Sequence, residues 1–173
     1  MKFLQRFCAV GFRLLTPKWA CAPTSGAGAA LYGGRANRQG IDAVYVSFDA
    51  QTALAEYQQL SPLMPPGTLV SFEISVGPII DFTDGYSPNG WDPLWNDFNN
   101  DWRNLWFDKK IEPPSWILGD MAIAAAAKGI LFRSSVRPAG INLVLYPGAL
   151  TSDDILKVYD PAHALPKNGD SWK

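Results

Sequence analysis

Three side chains suited to one reaction follow one another at short intervals. Arg35 comes directly after Gly33 and Gly34, Tyr45 lies ten positions later, and Glu56 lies eleven positions after Tyr45. A guanidinium binds phosphate oxygens in a bidentate manner, and an aromatic ring stacks on a flat heterocycle. A carboxylate stabilises the positive charge that a sugar develops as its glycosidic bond breaks. The series predicts a site for an anionic dinucleotide whose glycosidic bond is cleaved, with Glu56, Arg35 and Tyr45 as catalytic residues.

Other residues are expected to help bind such a ligand. Glycine allows a close backbone approach, so Gly34 is a predicted ligand contact beside Arg35. Arg13 stands in an apolar segment, where a charge needs either a core salt bridge or a ligand. Arg35 or Arg13 would hold the pyrophosphate or a ribose hydroxyl. Tyr32 is a second, weaker aromatic candidate.

Each candidate also has a purely structural interpretation. Glu56 can be a solvated helix residue, and Tyr45 can be a core residue of a strand. An ion pair with Asp42 or Glu56 is the structural alternative for Arg35, and a stronger one for Arg38.

One strand and the helix after it position these residues. Residues 43–48 read Ala-Val-Tyr-Val-Ser-Phe, which predicts a buried strand. A helix is expected over residues 50–60, capped by Ser47 or Asp49, with an apolar stripe. Glu56 falls on the flank of that stripe, where a side chain borders both the core and a cleft.

The remaining pattern predicts an α+β fold, a compact single domain over residues 1–173 with a mixed or antiparallel sheet. Further strands are expected over 7–15, 69–76, 79–82, 130–136, 141–146 and 155–159. One helix is expected from Asp92 through Trp106, and another over 115–128 with Gly129 as its cap. Residues 22–40 are predicted to form a loop or short turns, and 161–173 a loose tail. Strands and helices do not alternate regularly, which argues against a doubly wound sheet.

Composition excludes several classes. The chain has 173 residues and a formal net charge of −1, without the basic excess of a nucleic-acid binder. Two cysteines and one histidine do not make a zinc site, so no metal is expected. No phosphate loop or complete dinucleotide fingerprint is present. No apolar run approaches the roughly 20 residues of a membrane helix, and the expectation is a cytoplasmic protein with two reduced thiols.

The ordered motifs resemble those of the RES domain, a family named for its Arg, Glu and Ser. The matching segments are Arg13, residues 33–40 (Gly-Gly-Arg-Ala-Asn-Arg-Gln-Gly), 44–47, 53–56 and 130–137. Ala36 departs from the tryptophan that usually follows the motif arginine. The family serine is assigned to Ser135, with Ser134 as the alternative, and Asn142 lies where members often carry an asparagine. The resemblance covers roughly residues 12–147.

The resemblance implies a fold similar to diphtheria-toxin-like ADP-ribosyltransferases and the role of toxin in a bacterial toxin–antitoxin pair. It implies NAD as the substrate, either broken down by hydrolysis or phosphorolysis or used to transfer ADP-ribose to a protein. Ser135 and Asn142 would then join Arg13, Tyr32, Gly34, Arg35 and Tyr45 in binding NAD. It also implies a partner, a small Xre-like antitoxin that blocks the active site.

Two other hypotheses stay open from the sequence. The first is a non-catalytic interaction domain that keeps the fold, which the Ala36 departure and the aromatic segment 91–106 allow. The second is an unrelated α+β enzyme that acts on a phosphorylated sugar through Arg35 and Glu56. Absence of NAD binding would favour either of them.

Overall fold

One mixed sheet of eight strands organises the computed structural model of the protein, which describes residues 1–59 and 61–170. The strands are β1 (Phe3–Leu4), β2 (Phe7–Leu15), β3 (Val44–Ser47), β4 (Thr68–Val76), β5 (Ile79–Asp81), β6 (Gly129–Arg133), β7 (Ile141–Leu145) and β8 (Ile155–Val158). Their order is β1-β5-β6-β7-β3-β2-β4-β8. Only the β5–β6 pair is parallel among the described strands, and the other pairs are antiparallel. The α+β class predicted from the sequence is confirmed.

The sheet is buried on both sides at its centre. Alternate residues of a strand face opposite sides of a sheet. In β7, Val144 belongs to one buried apolar cluster, whereas Leu143 and Leu145 belong to another. Tyr45 packs against the first cluster, while Val44 and Val46 belong to the second. The continuous apolar runs of β3 and β7 therefore reflect burial on two faces.

Three α-helices accompany the sheet within the described residues: α1 (Ala27–Tyr32), α2 (Ala50–Gln58) and α3 (Pro114–Ala124). Asp49 caps α2, because its side chain accepts a 2.8 Å hydrogen bond from the backbone N–H of Thr52. This decides between Ser47 and Asp49. The predicted end of α2 at Leu60 lies outside the described residues.

Two sequence predictions around these helices were wrong in detail. Residues 22–40 contain the short helix α1 rather than only loop and turns. Helix α3 ends four positions before Lys128, and Gly129 is the first residue of β6 rather than a helix cap. The alanine run favours continued helix, but Ala126 adopts a φ of 59° and Ala127 is fully buried. Packing of Ala127 in the core turns the chain towards β6.

The long helix expected between Asp92 and Trp106 is also wrong. The segment forms two separate helical turns, a 3₁₀ helix at Pro93–Asp97 and a π-helical turn at Asn104–Asp108. Asp92 caps the first of them, as predicted. Between the two, the backbone carbonyls of Phe98 and Asn100 accept hydrogen bonds from the Arg35 guanidinium. Those oxygens are the acceptors that a continuing helix would require.

Residues 161–170 are held by local contacts. The Asp160 carboxylate accepts hydrogen bonds from the backbone N–H groups of Ala164 and Leu165, and Leu165 packs against the second apolar cluster. Residues 171–173, part of the tail predicted to be loose, lie outside the described residues. None of the helices within the described ranges has the length and apolar character needed to cross a membrane.

Candidate functional site

A cavity of about 430 Å³ opens beside β2, β3, α1 and α2. Seven predicted site residues line it: Arg13, Tyr32, Gly34, Arg35, Tyr45, Glu56 and Asn142. Its volume is within the range of small-molecule sites. The structure therefore brings the predicted cation, aromatic ring and carboxylate to one concave surface.

Glu56 is held by a chain of hydrogen bonds that begins inside the sheet. Its Oε1 accepts a 2.5 Å hydrogen bond from Asn142 Nδ2, and Asn142 Oδ1 accepts a 2.7 Å hydrogen bond from Ser47 Oγ. Ser47 and Asn142 are buried and lie directly opposite each other on β3 and β7. The half-buried carboxylate on α2 is thus fixed at the cavity wall by a side chain 86 positions away.

Arg35 is a half-buried cation whose hydrogen-bond partners are neutral. One terminal nitrogen donates to the backbone oxygens of Phe98 and Asn100 at 3.2 and 3.3 Å. The other donates to Ser135 Oγ at 3.0 Å. Desolvation lowers the pKa of Arg35, while the negative charge of Glu56 opposes that change. No carboxylate of the described residues lies within ion-pair distance of Arg35, so neither predicted ion pair forms.

The two candidate serines differ in what they contact. Ser135 does not line the cavity, but its exposed hydroxyl accepts the hydrogen bond from Arg35. The hydroxyl of buried Ser134 accepts from the backbone N–H of Arg137 and stabilises the turn between β6 and β7. Only Ser135 touches a predicted catalytic residue.

Tyr45 presents its ring to the cavity, but its hydroxyl is occupied. The hydroxyl donates to Asn37 Oδ1 at 2.7 Å and accepts from the backbone N–H of Ala36 at 3.0 Å. Burial raises the pKa of Tyr45, so the phenol stays neutral. The hydroxyl fixes the loop that carries Arg35. Stacking of the Tyr45 ring on a heterocycle stays a prediction.

Gly34 leaves room for that tyrosine. A Cβ atom at position 34 would lie 2.5 Å from Tyr45 Oη, and the Gly34 carbonyl accepts a 2.7 Å hydrogen bond from Trp116 Nε1. Close packing with protein atoms therefore accounts for this glycine.

Arg13 lines the cavity but forms no salt bridge among the described residues, and its role in binding a ligand stays a prediction. One of its nitrogens donates to the backbone oxygens of Pro23 and Ser25 at 2.9 and 3.0 Å. Burial lowers its pKa to about 10. The guanidinium thus ties the loop before α1 to β2. Tyr32, at the end of α1, is exposed at the cavity.

Three residues that were not predicted from the sequence form part of the cavity wall. Trp102, Arg103 and Phe107 line it as well. The guanidinium of Arg103 lies over the Trp102 ring, 4.4 Å from the centroid. Partial desolvation lowers the pKa of Arg103, while the charges of Asp101 and Glu56 oppose this. The tryptophan–arginine pair at positions 102–103 can be read from the sequence. Its position at the cavity was not predicted, because one continuous helix was expected there.

The described residues contain no group of three or more His, Cys, Asp or Glu side chains that could hold a metal ion. The RES domain family model matches residues 11–166. The chain belongs to the RES domain family. Arg35 and Glu56 line the cavity, and Ser135 contacts Arg35 from outside it.

The fold is also found in a solved structure. A chain of the crystal structure of the M. tuberculosis MbcT–MbcA toxin–antitoxin complex is similar, with a TM-score of 0.59 and 20% sequence identity. The match covers 90% of this chain and 85% of that chain. A comparison with curated proteins gives no match. At this level of sequence identity, the similarity shows only that the two chains share a fold.

Proposed function

We propose that this RES domain protein is the NAD-consuming toxin of a toxin–antitoxin pair, which cleaves the nicotinamide–ribose bond. The observation that carries the proposal is that Glu56, Arg35 and Tyr45 line one cavity. The proposal favours transfer of ADP-ribose to a cellular protein, and release of ADP-ribose to water or phosphate is the alternative. NAD is the substrate, and no metal is required.

The chemistry follows from the positions of these groups. The bond between ribose C1′ and the nicotinamide nitrogen breaks, and nicotinamide leaves with the bonding electrons as a neutral molecule. Positive charge grows on the ribose, and the Glu56 carboxylate stabilises it. An acceptor nucleophile then forms the new bond to C1′ and gives up its proton. The Tyr45 ring stacks on nicotinamide, and Arg35 contacts the ribose or phosphate.

Asn142 and Ser135 act mainly through the catalytic groups in this proposal. Asn142 donates its hydrogen bond to Glu56 and so aims one carboxylate oxygen, leaving the other for the ribose 2′-hydroxyl. Ser135 fixes the orientation of the Arg35 guanidinium by accepting a hydrogen bond from it. Misplacement of a reacting group by about 1 Å can cost about 10²-fold in rate, which gives such positioning residues their importance.

The antitoxin of the proposed pair covers the cavity mouth. Exposed aromatic side chains, Tyr32 and Phe107, stand there and would be buried by such a partner. The MbcT–MbcA structure supports the expectation of a partner, since it is that of a toxin–antitoxin complex. The proposal places the toxin's action in the cytoplasm, where NAD and protein acceptors are available to it.

NAD labelled in the adenine half tests the activity. The purified protein is incubated with it, with and without cell extract, and the products are separated. A labelled protein band supports transfer, whereas free ADP-ribose or its phosphate supports NAD breakdown. Unchanged NAD under all conditions contradicts both forms of the proposal.

Glu56→Gln is the matching variant. It keeps the shape and an oxygen that accepts from Asn142, but removes the charge, so NAD turnover should fall about 10²–10³-fold. Glu73→Gln makes the same chemical change on the exposed side of β4 and should leave turnover unchanged. Full activity of Glu56→Gln in a folded protein would rule out the assigned role of Glu56.

A further inference from the structure

Three guanidinium groups border the cavity, but they are not equally available to a ligand. Arg35 donates to Phe98, Asn100 and Ser135, and one nitrogen of Arg13 donates to two backbone oxygens. Arg103 has no hydrogen bond to any acceptor and no ion pair within residues 1–59 and 61–170. Among the three, Arg103 is the guanidinium for which no donor is used by an acceptor of the described residues.

Arg103 is nevertheless held in place. Its guanidinium stacks on Trp102, which is 5% exposed and packs against Trp116 and Phe107. Stacking on an aromatic face leaves the N–H groups at the edge of the guanidinium plane unused. A rigid ring beneath a free guanidinium lowers the ordering cost of binding an anion.

The charge balance at the cavity favours an anion. Three guanidinium groups and one carboxylate, Glu56, are among its lining residues. Arg35 is half-buried, and desolvation lowers its pKa. Arg103 is exposed at the cavity, with its guanidinium over the Trp102 ring. An anionic ligand supplies the hydrogen-bond acceptors and the close negative charge that a guanidinium without an ion pair among the described residues lacks.

We propose that Arg103, stacked on Trp102, is the residue that binds the pyrophosphate of the dinucleotide, and so selects NAD over nucleosides that lack phosphate. The inference rests on the proposed function and revises the expectation that Arg35 or Arg13 holds the pyrophosphate. Arg35 and Arg13 then mainly order the cavity walls through their backbone contacts. Arg103 then contributes to the affinity for NAD and not to cleavage of the nicotinamide–ribose bond.

Calorimetry with two ligands tests this. ADP-ribose carries the pyrophosphate, whereas nicotinamide riboside has the same nicotinamide–ribose bond as NAD and no phosphate. Arg103→Gln should weaken ADP-ribose binding at least tenfold and leave nicotinamide riboside within threefold of wild type. Arg103→Lys should lie between wild type and Arg103→Gln, because it keeps the charge and loses the planar fork. With NAD as substrate, KM should rise at least tenfold and kcat should stay within threefold.

Lys109→Gln is the matched control. It removes the same charge from an exposed residue six positions away that does not line the cavity, and should leave ADP-ribose binding as in wild type. Equal ADP-ribose affinity of Arg103→Gln and Lys109→Gln would overturn the inference. So would an equal loss of both ligands in Arg103→Gln, which would indicate a structural role. If wild type binds neither ADP-ribose nor NAD, the proposed function falls as well, whereas normal wild-type binding with an unaffected Arg103→Gln refutes this inference alone.

Discussion

Asn142→Asp would test the hydrogen bond that holds the catalytic carboxylate. The substitution exchanges the Nδ2 group that donates to Glu56 for an oxygen of similar size, while the oxygen bonded to Ser47 is kept. Two ionised carboxylates would then face each other where the donor and acceptor are now 2.5 Å apart. Two unit charges about 4 Å apart repel by about 4 kcal/mol at an effective dielectric constant of about 20.

This repulsion has a predictable pH dependence. One carboxyl group of the pair must keep a proton at neutral pH, whereas both are ionised in the unfolded chain above about pH 5. The folded variant therefore binds more protons than the unfolded chain, and its stability falls as the pH rises. The free energy of unfolding should decrease by about 1.4 kcal/mol per pH unit until the proton is lost or the side chains separate.

Urea unfolding of wild type, Asn142→Asp and Asn142→Ala at pH 5.5 and pH 8 measures the effect. Asn142→Ala leaves the buried Ser47 hydroxyl without its partner and should lose about 1–3 kcal/mol at both pH values. Only Asn142→Asp should lose additional stability at pH 8, and its NAD turnover there should fall about 10²-fold. Equal stability of Asn142→Asp at the two pH values, together with full activity at pH 8, would refute the proposed arrangement of Glu56.

Three further substitutions and one control, Gly28→Ala, probe the framework of the fold. Arg137→Ala removes hydrogen bonds from the β6–β7 turn to the start of α2 and should cost about 1 kcal/mol, or about 2–4 °C in Tm by calorimetry; an unchanged Tm would contradict this. Gly34→Ala forces a methyl group against Tyr45 and should cost about 1–3 kcal/mol in urea unfolding. Gly28→Ala, whose added Cβ meets nothing within 4 Å, should not destabilise, and equal loss in both would contradict the packing argument. Burial raises the pKa of Asp154, but hydrogen bonds led by Lys128 lower it to about 2 from an ordinary value of 3.8. The ionised Asp154 carboxylate therefore stabilises the fold above about pH 4, and this stabilisation is lost as the pH falls towards 2. The free energy of unfolding of Asp154→Asn should depend less on pH between those values than that of wild type.

The sequence by itself determined the elements with strong local patterns. The alternation of apolar and polar residues in β4, the buried run of β3 and the Asp49 cap of α2 all depend on neighbouring residues. The Gly-Gly-Arg, Tyr and Glu series likewise resembles the RES domain motifs, and Tyr45 and Glu56 lie on one strand and the helix that follows it. These features need no knowledge of distant contacts.

Only the tertiary structure decided how the site is held together. The register of β3 against β7 places Ser47 opposite Asn142 and so links the sheet to Glu56. The Arg35 guanidinium donates to the carbonyl oxygens of Phe98 and Asn100 between the two helical turns, and Arg103 lies at the cavity. Local propensity cannot encode these contacts, because each joins residues more than 60 positions apart whose meeting depends on sheet register and core packing.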